Sequence, residues 1–164
     1  MRPGPGPPAG VVLLARNRRM TLRLPDAMLG EIIGHAYEDL PNECCGMIAG
    51  KDGEAVRVYR TRNSEASPYR YNIDPRDLIR IEQEMDSEGW DVLVIYHSHV
   101  ASDAYPSPTD VRLAQWPGTD PPSDLYPNAH YVLISLKNRS APVVRSYRIT
   151  SGEVAEEEIE SAAV

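Results

Sequence analysis

The sequence predicts an α/β protein, one mixed central sheet with flanking helices, and three patterns predict it. The segment "WDVLVIYHSH" is apolar on both faces from Val92 to Ile95, as a strand covered from both sides must be. Two other segments repeat apolar residues in steps of three and four, the mark of a helix that buries one stripe. Around "KDG", a short apolar run and an alternating one stand in hairpin order.

The elements follow in order. After "TLRLP", residues 26 to 40 place Met28, Leu29, Ile32, Ile33, Ala36, Tyr37 and Leu40 on one side of a helix. "CCGMIAG" reads as a buried strand, and "EAVRVYRTRN" as its half-exposed partner beyond the turn. From Ser64 to Ile73 the chain reads as loop or irregular strand. Asp74 then stands at an N-cap with Pro75 at the first helical position, and Leu78, Ile81 and Met85 carry a helix that stops at Gly89. "WDVLVIYHSH" comes next and is expected in the middle of the sheet. Ser107 to Trp116 reads as a short third helix, and "PGTDPPSDLYPN" as an exposed Pro-rich loop. "HYVLISL" and "VVRSYRI" are two further strands, and the acidic "EVAEEEIE" is a surface strand or a ragged tail.

A chain of 164 residues, 41% hydrophobic, has material for one core. The expected organisation is a domain over residues 20–160 after an extension over residues 1–19. That extension pairs a Pro/Gly tract with an apolar run of about five residues, too short for a secretory core or a membrane span, and it reads as disordered. Neither a membrane nor nucleic acid is an expected partner: the formal charge is -7, and Arg16, Arg18 and Arg19 form the one local basic cluster. Cys44 and Cys45 are adjacent, so a bridge between them would be strained and close no useful loop. With no disulfide framework, a reducing cytoplasm is the expected location.

Two of the four histidines fall at the end of the strongest strand. Alternate residues of a strand face one way, so His97 and His99 present both rings to one side with Cα atoms about 6–7 Å apart, and Ser98 faces the other. Two such rings can converge on one ion, though a bare His-x-His also suits a strand end that binds nothing. "SPTD" is the acid form of a capping box, with Ser107 at the N-cap, Pro108 at N1 and Asp110 at N3. Capping alone would account for Ser107 and Asp110. A carboxylate in that first turn can also swing back toward the histidines, and two His with one carboxylate leave a tetrahedral zinc one open position for water.

His-x-His, seven intervening residues and Ser-x-x-Asp resemble the signature of the JAMM (MPN+) metallopeptidases, matched at His97, His99, Ser107 and Asp110. Upstream, "PNECCGMIAG" is similar to the family's Glu-bearing segment and supplies Glu43. In order along the chain, "NECCGMIAG", "NSEASPYRYNIDP", "VIYHSHVASDAYPSPTDVRLA", "AHYVLISL" and "RSYRI" resemble the actinobacterial Mec-type hydrolases, which release cysteine from the C-terminal glycine of CysO, a ubiquitin-like sulfur carrier. The resemblance spans roughly residues 20 to 155. It implies the cytidine-deaminase-like JAMM (MPN) fold, Zn2+ held by His97, His99 and Asp110, Glu43 as general base, and Ser107 as the hydroxyl that steadies the oxyanion. It also implies a protein partner, a ubiquitin-like carrier ending in Gly-Gly, whose tail runs past Asn63, Ser67 and Tyr71. The oligomeric state stays open, a homodimer included.

Two departures stand out: Val100 replaces the Pro that many members carry after the second His, and the Pro-rich segment between Trp116 and His130 is longer than usual. The segment reads as a surface insertion rather than a flap. Cys44 and Cys45 read as core residues on opposite faces; His35, at a marginal helix position, and His130, opening a strand, read as structural. The expected activity is hydrolysis of the carrier–cysteine amide. General isopeptidase action on lysine conjugates and a non-catalytic MPN scaffold are its rivals.

Overall fold

A computed structural model describes residues 21–163, so the expected extension over residues 1–19 lies outside the described residues. In chain order the elements are β1 (Thr21–Pro25), α1 (Asp26–Glu38), β2 (Cys45–Lys51), β3 (Glu54–Thr61), α2 (Pro75–Glu88), β4 (Asp91–His99), α3 (Pro108–Leu113), β5 (His130–Ser135), β6 (Val143–Thr150) and β7 (Glu153–Ala162). The strands form one sheet in the order β1-β7-β6-β5-β4-β2-β3. The pairs β4/β5 and β1/β7 are parallel and the others antiparallel, so the sheet is mixed as the sequence predicts. β4 is an interior strand, one place off the centre that β5 occupies.

Strand alternation sorts the core into two faces. On one, Ile48, Val94, Tyr96, Val132 and Ile134 pack with Leu22 and Leu24 of β1 and with Ile32 and Ala36 of α1. On the other, Met47, Ala49, Ile95 and Tyr131 meet Ile81 and Met85 of α2 and Ala114 at the end of α3. The sheet is therefore sandwiched between helices.

The local signals act where they stand in the sequence. Asp52 and Gly53 take positive φ (51° and 80°) at the hairpin turn between β2 and β3. Asp74 Oδ1 accepts from the Arg76 N–H at 2.8 Å, and Gly89 ends α2 in the left-handed conformation with φ 72°. Two elements depend on distant partners instead. "TLRLP" forms β1 by pairing in parallel with β7, Leu22 opposite Ile159, and its alternation buries Leu22 and Leu24. The acidic C-terminal segment is a true strand, paired with β6 on one side and β1 on the other. It turns Glu157 inward, where Ser146 Oγ donates to it at 2.7 Å and His130 Nδ1 pairs with it.

His35 corrects one expectation. It is buried, 4% exposed, with Nδ1 2.7 Å from the Tyr96 hydroxyl and Nε2 3.3 Å from Asp39. Its role is structural. Residues 117–123 are exposed, and the loop is tied down where Tyr126 donates to Glu82 at 2.6 Å. Among the described residues no helix is long and apolar enough to cross a membrane.

Gly46 faces this same Tyr96. A Cβ there would overlap the Tyr96 phenol and the Tyr59 carbonyl. Gly46→Ala is expected to cost about 2–3 kcal/mol through overpacking, read as a lowered Tm by calorimetry; an unchanged Tm would show that the packing around Tyr96 yields freely.

Candidate metal centre

The ladder between β2 and β4 brings the first parts together. Its antiparallel register sets Cys45 against His97, and the pairing continues beyond β2, where Ser98 N–H donates to the Cys44 carbonyl at 3.1 Å. Glu43 thus comes up beside His99, although 54 positions separate it from His97 in the sequence. Ser98 points to the opposite side from the two histidines, as alternation requires, and its Oγ accepts from the Cys44 N–H at 2.8 Å. His97 and His99 are 2% and 5% exposed.

The predicted capping box supplies the third part. Ser107 Oγ accepts from the Asp110 N–H at 3.1 Å, and Asp110 Oδ2 accepts from the Ser107 N–H at 2.9 Å. The same Oδ2 lies 3.0 Å from Nε2 of His97 and 3.0 Å from Nε2 of His99. Capping and convergence on the histidines are served by one oxygen, so the two readings of Asp110 are compatible.

The three atoms form a triangle, its third edge being the 3.3 Å between the two Nε2 atoms. Donors about 2.0–2.1 Å from a tetrahedral ion stand about 3.3–3.4 Å from one another, so this triangle is close in size to one face of that tetrahedron. The protons agree with this. His99 Nδ1 is 2.8 Å from the Asp103 carbonyl, which can only accept, so Nδ1 carries the hydrogen and Nε2 of the neutral ring is a bare lone pair. That lone pair faces the carboxylate lone pairs of Asp110. Such a meeting is repulsive unless a cation or a proton lies between, and the donor set fits a metal ion.

Glu43 stands close by. It is 3% exposed, its Oε1 is buried without a hydrogen-bond partner, and a carboxylate oxygen lies within 4.8 Å of a ring nitrogen of each histidine. Burial pushes its carboxyl up to about 8, with His99 pulling the other way and Asp110 adding to the rise. For Asp110 burial also opposes the charge, but the two histidine rings beside it and the Ser107 N–H outweigh that and hold the carboxyl well below the usual range. The two carboxylates thus differ in kind: one lies against both histidines, the other is buried with an oxygen that has no polar partner.

The segment expected to line the cleft encloses the centre from the other side. Tyr71 is 6% exposed and stacks on His97, with ring centroids 4.1 Å apart at 21°. Asn63 uses its whole amide: Nδ2 donates to the carbonyls of Glu43 (3.1 Å) and Arg70 (3.0 Å), and Oδ1 accepts from the N–H groups of Glu65 and Asn72, both at 3.0 Å. Ser67 accepts the Glu43 N–H through its carbonyl at 2.9 Å, and its Oγ accepts from the Tyr69 N–H at 3.0 Å. Cys44 and Cys45 are free and buried, burial pushes both thiols up to about 12, and Cys45 Sγ lies 3.2 Å from the Thr61 hydroxyl. The Asp103 carbonyl is the part that sequence reasoning missed. A backbone acceptor has no residue-type signal.

A match to the family described as prokaryotic homologs of the JAB domain covers residues 25–150. The chain is 35% identical over 150 residues to the CysO-cysteine peptidase of Mycobacterium tuberculosis, covering 90% of this chain and 96% of that protein. It is 40% identical over 95 residues to a desampylase of Haloferax volcanii, covering 53% and 68%. A solution structure from Desulfitobacterium hafniense superposes with a TM-score of 0.72 at 35% identity, over 88% of this chain and 94% of that one. A JAB1/MPN domain protein of Archaeoglobus fulgidus, at 16% identity and a TM-score of 0.51 over 86% and 99%, shares the fold.

Proposed function

Because the chain belongs to the prokaryotic JAB-domain family, we propose that it is a hydrolase that cuts the amide between the C-terminal glycine of a ubiquitin-like sulfur carrier and cysteine, releasing the amino acid. The observation that carries the chemistry is the triangle of His97 Nε2, His99 Nε2 and Asp110 Oδ2 beside the unpartnered Glu43 carboxylate. The similarity to a CysO-cysteine peptidase along nearly its whole length supports the substrate.

His97, His99 and Asp110 would hold the ion, and two imidazoles with one carboxylate suit zinc. When bound, such an ion supplies Lewis acidity, lowering the pKa of water from about 16 toward about 7 and polarising a carbonyl. The remaining work falls to the chain. Glu43, kept poorly solvated in its buried niche, takes the proton of the attacking water and returns it to the departing cysteine nitrogen, so the products are the carrier's C-terminal carboxylate and free cysteine. Ser107 keeps its hydroxyl hydrogen for the oxyanion, because its Oγ meets the Asp110 N–H as an acceptor. The loop fixed by Asn63, Ser67 and Tyr71 would border the groove that takes the extended Gly-Gly tail, where backbone pairing leaves little room for side chains.

The similarity to a desampylase favours one competing reading, removal of a ubiquitin-like modifier from lysine. The two separate in one experiment. The zinc-loaded enzyme is given a carrier–cysteine adduct and, in parallel, the same carrier joined to a lysine side chain. Faster release of cysteine is the expected outcome, and no turnover of the adduct would end the proposal.

A further inference from the structure

The loop from Val100 to Pro106 joins His99 to Ser107, has no regular secondary structure, and exposes Ala101, Ser102 and Asp103. It nevertheless provides the acceptor that sets the protonation of His99. Three successive carbonyls of this loop each meet a donor from outside it. The Ser102 carbonyl accepts from Ser135 Oγ at 2.6 Å, the Asp103 carbonyl from His99 Nδ1 at 2.8 Å, and the Ala104 carbonyl from the Tyr147 hydroxyl. Ser135 ends β5 as the register partner of His99, and Tyr147 lies on β6. Both are buried, 4% and 1% exposed, and Tyr105 packs edge-on against the Tyr147 ring at 5.5 Å. Ala104 packs beneath the loop against Leu133 of β5 and Tyr147, and Lys137 pairs with Asp103 through side chains 60% and 81% exposed, which contributes little.

We propose that Ser135 and Tyr147 are positioning residues of the metal centre: by holding the carbonyls on either side of Asp103, they fix the Asp103 carbonyl against His99 Nδ1 and so keep the Nε2 lone pair turned toward Asp110 and His97. The inference rests on the metal-centre reading above. Its physical basis is the cost of order in a short exposed loop. Without anchors the loop samples many conformers, and each one that turns the Asp103 carbonyl away frees Nδ1. A free neutral imidazole favours the hydrogen on Nε2, the nitrogen that has to ligate. Two buried hydroxyls on rigid strands suppress that loss at positions where neither touches the ion, and the bond they protect, from His99 to the Asp103 carbonyl, is of the outer kind worth about 10–100-fold in metal affinity.

The test uses Ser135→Ala, Tyr147→Phe, their double variant and Ser135→Thr, which keeps the hydroxyl. In metal-free full-length protein, above the titration range of imidazole, two-bond nitrogen–proton NMR reads the tautomer of each histidine. Competition with a chromophoric chelator reads the Kd for Zn2+ alone. Wild-type His99 is expected to carry its hydrogen on Nδ1. Ser135→Ala and Tyr147→Phe should each raise the Zn2+ Kd by about tenfold and bring in the Nε2–H form of His99, with the His97 tautomer unchanged. Ser135→Thr should restore both readouts. The proposal is overturned if wild-type His99 carries its hydrogen on Nε2, if both single variants bind Zn2+ within about twofold of wild type, or if the double variant keeps His99 wholly in the Nδ1–H form. Neither measurement involves a substrate, so failure to release cysteine from the adduct would sink the proposed reaction and leave this inference standing.

Discussion

Glu43→Gln is expected to lower kcat on the carrier–cysteine adduct by about 10²–10⁴-fold while leaving the zinc content of the protein unchanged. Gln keeps the shape and the polarity of the side chain but can neither take nor return a proton at neutral pH. Its backbone anchors are untouched, since the Glu43 N–H donates to the Ser67 carbonyl and its carbonyl accepts from Asn63. The fold should therefore hold. Retention of metal is the sharper half of the expectation, because Glu43 Oε1 has no polar partner while Asp110 Oδ2 lies 3.0 Å from Nε2 of each histidine. The check is single-turnover kinetics beside metal analysis of the same preparation. A full rate would remove Glu43 from the role of base. A full loss of zinc would make it a ligand and displace Asp110.

His99→Ala is expected to remove both metal and turnover. The substitution deletes one of three converging donors and leaves the Asp103 carbonyl with the Tyr105 N–H alone. Because a supporting hydrogen bond is by itself worth about 10–100-fold in metal affinity, the loss of a ligand should exceed that, leaving protein purified from metal-replete cells with only a trace of zinc. The protein should remain folded, since the site lies at the end of β4 rather than in the two clusters that hold the sheet to its helices. Stoichiometric zinc in His99→Ala, measured by atomic emission, would mean that the ion is held elsewhere or by a different set.

Much of the site was legible because it is built from local rules. His97 and His99 share a face because a strand repeats every two residues. Asp110 comes near them because "SPTD" is a helix start, and a helix whose N-cap stands eight residues after His99 turns its first carboxylate back toward the strand end. Glu43 is a different case. Its position beside His99 follows from the pairing of Cys45 with His97, a register that no stretch of either segment states by itself. The burial of His35 was hidden for the same reason, since its partner Tyr96 is 61 residues away.

By itself the sequence determined the two histidines on one side of a buried strand, the capped helix that brings a carboxylate, the hairpin, the second helix and the mixed α/β class, because each is written in a repeat or a cap spanning a few adjacent residues. Tertiary structure alone decided that β1 closes one edge by pairing with β7, that Glu43 stands beside the histidines, that Tyr71 stacks on His97, and that a backbone carbonyl at Asp103 chooses which nitrogen of His99 is bare. Those choices depend on which distant segments pair and in what register, a property of the packed sheet that no short window of sequence contains.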